Sequence, residues 1–204
     1  MFENVIVNKP WGYEYLVYEN DDVGVWYLNI EYGQQTSLHA HPNKKTGLIV
    51  LSGAAEISFL NHTFKLISPD KTMIRHGVFH STKAVSKKGL EILEIETPKD
   101  KLDLIRLEDY YGRAGQPYED KTHYHKSQVP TLKNSDNIQL GDCDLSKQND
   151  LCLGQYHTYI ILKGGIKSDH YPVLSCGDIV DNPTVVRLAE KFHTCPSQVI
   201  GLKY

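Results

Sequence analysis

The chain has 204 residues, 40% hydrophobic and 23% charged, with a formal net charge of −3 from 25 acidic and 22 basic side chains. This is globular composition, long for one small domain and short for two large ones. It lacks the basic excess that phosphate-backbone binding demands, any apolar run near the roughly 20 residues that span a bilayer, and a basic-then-apolar leader, which argues against nucleic-acid and membrane partners.

In chain order, short β-branched and aromatic segments predict strands over 23–31, 47–51, 55–60, 90–96, 156–162 and 199–204. Turn signals separate them, among them Gly33, Pro42-Asn43, Ser52-Gly53, Ser68-Pro69-Asp70 and Gly164-Gly165. Helical periodicity is weak, and 102–111 and 185–192 are its best candidates. Many short strands at close spacing predict an all-β sandwich or barrel. Residues 113–130 are polar, rich in Gly, Pro, His and Tyr, and without periodicity, so a linker or mobile loop is expected there. It divides the chain into 1–112 and 131–204. Four cysteines (Cys143, Cys152, Cys176 and Cys195) form no C-x-x-C pair, and reduced thiols of a soluble cytoplasmic protein explain them best.

An internal repeat supports the division. TGLIVLSG from Thr46 parallels HTYIILKG from His157, ISPDKTMI from Ile67 parallels SCGDIVDN from Ser175, and EILEIET from Glu91 parallels QVIGLKY from Gln198. Identities are few, but the three blocks keep their order.

The densest chemistry lies in GQQTSLHAHPNKKTGLIVLSG, residues 33–53. Side chains on a strand alternate, so His39 and His41 project from one face, and His80 of RHGVFH brings a third imidazole. Imidazole nitrogens suit a divalent transition ion (Zn, Fe, Mn, Co or Ni) better than Mg or Ca. Lys44, Lys45 and Arg75 could grip a phosphate there. Glu94 and Glu96 share one strand face and are the catalytic candidates, since that face could include a general base near the metal; alternation there is ambiguous, and the preferred reading turns them outward as ordinary surface charges. His123 and His125 repeat the H-x-H spacing inside the polar segment, where a surface loop is expected. Asp150, Cys152 and His157 fall at ligand positions in the second repeat, yet nothing in 185–192 replaces His80.

The pattern resembles the cupin superfamily. Its first motif, G-x5-H-x-H-x4-E-x6-G, is met at Gly33, His39, His41 and Gly53, with Thr46 in the glutamate position. The second, G-x5-P-x-G-x2-H-x3-N, is met at Gly77 and His80, with Pro69, Arg75 and Ala84 at the other positions. KPWGYEYLV from Lys9 and LEILEIETP followed by LIRLEDYYGR resemble the opening and closing segments of type II mannose-6-phosphate isomerase domains. Those domains commonly carry Gln where this chain has His39 and Glu where it has Thr46. The resemblance implies a double-stranded β-helix (jelly-roll) barrel with a metal in its mouth, followed by a smaller, degenerate second barrel, and a homodimer. It further implies an enzyme acting on a phosphorylated or nucleotide-linked sugar in surface-polysaccharide metabolism, foremost an aldose–ketose isomerase. An epimerase, a three-His iron dioxygenase and a non-catalytic sugar-binding or regulatory cupin stay open as alternatives.

Overall fold

The computed structural model describes residues 2–119 and 121–204. Its first unit comprises β1 (Val5–Lys9), β2 (Gly12–Glu19), β3 (Gly24–Ile30), β4 (Leu38–Ala40), β5 (Lys45–Phe59), β6 (Thr63–Ile67), β7 (Lys71–Ile74), β8 (His80–Ala84), β9 (Leu90–Thr97) and β10 (Ile105–Glu108). The strands hydrogen-bond in the order β10-β4-β8-β5-β9-β3-β2-β1, with β6 and β7 also on β5. The first half of β5 pairs with β7 and β9 and the second half with β6 and β8, which rolls the sheet into an antiparallel barrel. The expected strands 47–51 and 55–60 are therefore one strand. Ser52-Gly53 lies beside a bulge, where the register to β9 shifts between Val50 and Ser52.

Alternation sorts the barrel's side chains between two cores. Trp26, Leu28, Leu48, Val50, Leu90 and Ile92 point inward. Their neighbours Val25, Tyr27, Ile49, Leu51, Leu93 and Ile95 point outward into a second core shared with the rest of the chain. Strands buried on both faces lose the polar–apolar alternation that marks a solvated sheet, hence the ambiguous orientation of Glu94 and Glu96 in the sequence.

Two expected elements differ. The helix expected over 102–111 is instead β10, which pairs with β4. Its pattern misleads because Arg106 is the buried residue while Ile105 and Leu107 are exposed. The segment 113–130, whose Asp120 lies outside the described residues, is a strap on the first barrel. It passes through a 3-10 turn (Lys121–His123) into β11 (Tyr124–Lys126), which pairs with β1. Apolar periodicity could not announce it, because ion pairs and three strand residues hold it down.

The second unit comprises β12 (Asn137–Leu140), β13 (Cys143–Gln148), β14 (Thr158–Lys163), β15 (Ile166–Lys167), β16 (Pro172–Leu174), β17 (Ile179–Asp181), α1 (Asn182–Ala189), β18 (His193–Thr194) and β19 (Gln198–Lys203). One sheet runs β12-β13-β19-β14-β17 and a small one β16-β15-β18. The helix starts before the expected 185–192 because Asp181 caps it, accepting from Thr184 N at 2.7 Å, with a proline in its first turn.

The repeat read from the sequence recurs in the hydrogen bonding. β14 lies between β19 and β17 as β5 lies between β9 and β7. The pairs Leu48–Glu94, Ile49–Leu93 and Val50–Ile92 match Tyr159–Gly201, Ile160–Ile200 and Ile161–Val199, and both ladders shift register at the next residue, Leu51 or Leu162. Val50 N donates to Asp70 O as Ile161 N donates to Asp178 O, each at 2.9 Å. Ser68 Oγ donates to Leu51 O as Cys176 Sγ donates to Leu162 O. The outward core joins the units through these equivalent positions: Ile49 and Ile160, Leu51 and Leu162, Leu93 and Ile200, Ile95 and Leu202. Among the described residues no helix is long and apolar enough to cross a membrane.

Candidate functional site

His39 and His41 leave β4 on one face, and His80, at the head of β8, is the direct cross-strand partner of His39. The loop before His80 is stitched to β4 by Gly77 N, which donates to His41 O at 2.7 Å from a left-handed conformation (φ 73°) that favours glycine. The three rings lie 4.5–5.5 Å apart between centroids, and one ring nitrogen of each lies within 4.8 Å of the others.

Each Nδ1 faces a backbone carbonyl: His39 that of Ser37 at 2.8 Å, His41 that of Asp103 at 2.6 Å, and His80 that of Val78 at 3.0 Å. A carbonyl only accepts, so Nδ1 carries the proton and Nε2 keeps its lone pair. Burial holds all three imidazoles neutral. It pushes His41 down to about 3 with help from Lys44, His39 well below its ordinary value with help from His80 and His41, and His80 below as well. His41 Nε2 is buried without a hydrogen-bond partner. Three neutral, pre-oriented imidazoles with one orphaned nitrogen fit a divalent transition ion, whose ligating histidines are held by their second nitrogen in this manner. Thr46, buried and also without a partner for Oγ1, brings no charge to the donor set.

Glu94 and Glu96 face inward and line the same cavity as His39 and His41. Glu96 is fixed on one oxygen by Lys44 at 2.7 Å and Lys101 at 3.1 Å. Glu94 has a looser ion pair, with Lys101 at 3.6 Å. Lys44 is therefore at the site but committed, its Nζ also donating to Asp100 O at 2.9 Å. The other two residues expected to hold phosphate lie elsewhere. Alternation sends Lys45 to the opposite face, where it pairs with Asp178 of the second unit at 2.6 Å, and Arg75 is exposed in the turn after β7, outside the cavity lining.

Several site residues escaped the sequence reading. Asp103 holds the His41 ring through its carbonyl, and its carboxylate accepts from Asn43 N and Lys44 N at 2.9 and 3.0 Å, clamping the turn after β4. Lys101 reaches Glu14, Glu94 and Glu96 and lies 4.0 Å from the Trp26 ring centre; these carboxylates overcome its burial and raise its pKa. Tyr118 donates to Glu14 from the strap, and Glu119 pairs with Lys9, Arg106 and Arg113. None of these residues belongs to a motif or a periodicity that marks it in the sequence.

The space beside the histidines is small, about 60 Å³, and a cavity of about 570 Å³ adjoins it behind Glu96, Lys101 and Tyr118. In the second unit, Asp150, Cys152 and His157 do not converge. Among the described residues His39, His41 and His80 are the one group of three such side chains that does. Instead Tyr156 fills that barrel's interior with Tyr159, Ile161 and Val199. His123 and His125 are exposed, His125 beside Asn8 at 3.2 Å.

Comparison with known proteins places this arrangement. The sequence model of the mannose-6-phosphate isomerase C-terminal family matches residues 3–109, just over half of the chain. The alginate biosynthesis protein AlgA of Pseudomonas aeruginosa is 32% identical over 117 residues, covering 54% of this chain and 24% of the relative. The xanthan biosynthesis protein XanB of Xanthomonas campestris is 32% identical over 114 residues (53% and 24%). A mannose-1-phosphate guanylyltransferase of Klebsiella pneumoniae is 27% identical over 110 (53% and 23%). The chain thus spans about a quarter of the length of these relatives. Among solved structures, the capsular polysaccharide assembling protein CapF of Staphylococcus aureus superposes with a TM-score of 0.45 at 18% identity, over 51% of this chain and 31% of that one. With barrel, histidines and matched segment coinciding, the chain belongs to the mannose-6-phosphate isomerase C-terminal family of the cupin superfamily.

Proposed function

We propose that the chain is a metal-dependent enzyme of polysaccharide precursor metabolism that interconverts the aldose and ketose forms of a sugar phosphate. The observation that carries this reading is the lining of one cavity by neutral His39 and His41 and the inward carboxylate of Glu94, with His80 against His39. His39, His41 and His80 would hold a divalent ion, which supplies Lewis acidity toward a carbonyl and its neighbouring hydroxyl. The proton chemistry belongs to Glu94. Its carboxylate takes the proton from C2 and returns it to C1 while the O2 hydroxyl proton moves to O1, so the exchange balances without an oxidant. Glu96 holds Lys44 and Lys101 in place by ion pairs, and Trp11, Leu28 and Leu104 wall the cavity with apolar surface.

Mannose 6-phosphate, the substrate in the family's name, is the first to test, within a panel of aldose phosphates and nucleotide sugars. Metal-loaded protein without oxygen should yield the ketose phosphate by NMR. His39→Ala/His41→Ala should lose both metal and turnover, whereas Glu94→Gln should keep metal and lose about 10²- to 10⁴-fold in kcat. Oxygen uptake in place of ketose, or wild-type turnover in Glu94→Gln, would overturn the reading.

A further inference from the structure

The cavity beside the histidines is too small for the ligand that the proposed function requires. A space of about 60 Å³ holds a few waters, whereas organic-ligand pockets run to roughly 300–1,000 Å³. What separates it from the 570 Å³ cavity is partly the chain's own strap. Tyr118 lines both spaces, and Glu119 lines the larger one.

The Glu119 carboxylate is held by three cations. Lys9 binds Oε2, while Arg106 at 3.0 Å and Arg113 bind Oε1. Burial opposes ionisation, but Lys9 and Arg106 overcome it and hold the carboxyl below its usual range. All three cations line the cavity beside the histidines, and Arg106 stands directly across from His39 in the β4–β10 pairing. Arg106 is 8% exposed, and its Nε has no partner. Lys9 and Arg106 lie within the family-matched segment 3–109, whereas Glu119 lies beyond it.

We infer that Lys9, Arg106 and Arg113 form a binding site for the phosphate of the ligand, that Glu119 occupies it in the closed state, and that an incoming phosphate displaces Glu119 and lifts the strap. Arg113 keeps Nε and Nη2 on Asp109 and offers Nη1; with the Arg106 guanidinium and the Lys9 ammonium this makes three separate cationic donors, which suit a tetrahedral oxyanion with three peripheral oxygens better than a planar carboxylate with two. The spare Arg106 N–H then has a use. The strap is held chiefly by these polar contacts, with Arg106 Nη1 also donating to Gln116 O and Pro117 O, rather than by an apolar core: residues 114–117 are exposed, and β11 contributes three paired residues to the edge of the sheet, so an anion that takes over the cations removes most of what fastens it. With Tyr118 and Glu119 withdrawn, the two cavities join, and a ligand anchored at Arg106 extends toward the three imidazoles. The identity of the anion as a sugar phosphate rests on the proposed function; the three-cation site rests on the geometry alone.

Isothermal titration with inorganic phosphate tests the site without turnover. Glu119→Gln, which keeps shape and removes the competing charge, should bind phosphate at least tenfold more tightly than wild type. Adding Arg113→Gln should return the affinity to the wild-type value or below. Should Glu119→Gln fold poorly, hydrogen exchange on the wild type supplies the second readout: saturating phosphate should accelerate exchange at Tyr124–Lys126. Unchanged affinity in Glu119→Gln, tighter binding that survives loss of Arg113, or strap exchange indifferent to phosphate would each overturn the inference. Phosphate-dependent strap opening without sugar turnover would sink the isomerase and leave the site standing; turnover with no phosphate response would do the reverse.

Discussion

Glu14 is the best gauge of how charge is arranged in the barrel mouth. The carboxylate is buried, and burial alone would raise its pKa. Lys101, Lys9 and the Tyr118 hydroxyl reverse that and hold it at about 2. A carboxyl whose pKa falls from an ordinary 4.5 to about 2 on folding stabilises the fold at any pH above 4.5, and that stabilisation is lost as pH falls from 4.5 toward 2. The shift corresponds to roughly 3 kcal/mol. Melting curves between pH 6 and pH 2.5 should therefore fall more steeply for wild type than for Glu14→Gln, which starts lower but lacks the titrating group. Parallel curves would show that Glu14 is not held in this way. The histidines were legible in the sequence because their geometry is local: H-x-H on a strand is enough to bring two rings together. Lys101 and Glu119 were not legible, since each acquires its role from partners scattered along the chain, Glu14 and Lys9 among them. Lys45 misled for a related reason, since two adjacent lysines look alike in a sequence but point to opposite sides where the chain enters β5.

Among elements, β5 and β14 show what a shared framework keeps and what it drops. The two strands have the same neighbours, the same register and the same bulge, yet one barrel has a site and the other is filled. Glu94 of the first corresponds to Gly201 of the second. Tyr156 packs into the space that this glycine leaves, and a Cβ there would fall 2.3 Å from the ring. The ring cannot retreat easily, because it is 7% exposed and its hydroxyl accepts from Gln148 Nε2 at 2.8 Å. Gly201→Ala should destabilise the protein by about 1–3 kcal/mol by overpacking, with no change in metal content. Chemical denaturation with elemental analysis reads both, and an unperturbed midpoint would mean that the tyrosine plug is loose. The repeated blocks were readable as strand–turn–strand patterns. The plug was not, because a glycine inside a strand gives no hint of which ring approaches it.

For the whole molecule, the outward face of the first barrel is covered by the second unit through one continuous core. Leu145 of β13 is fully buried there with Val25, Ile49 and Leu93 of the barrel. Truncating it to alanine should cost about 2–5 kcal/mol. That loss should appear in both halves together, since neither can expose this core alone. Both tryptophans, Trp11 and Trp26, lie in the first barrel, whereas far-UV circular dichroism reports on strands throughout. In Leu145→Ala the two signals should shift to the same lower denaturant midpoint. A fluorescence midpoint that stays at the wild-type value would show that the halves unfold independently. Composition marks the polar segment after residue 112, but nothing in the sequence marks the joint core: a strand buried on both sides reads in sequence as one apolar run, with no sign of what lies against each face.

The matched positions in that core have a consequence for assembly. Val25 and Leu93 meet Leu145 and Ile200 much as one subunit of a symmetric dimer meets the other, except that both surfaces belong to one chain. A dimer loses its cover on dilution, following the law of mass action. Here the cover is tethered by the strap and the stretch to β12, so its effective concentration stays on the order of millimolar whatever the amount of protein present. The barrel that carries the three histidines thus keeps its outer wall as a unimolecular property of the chain.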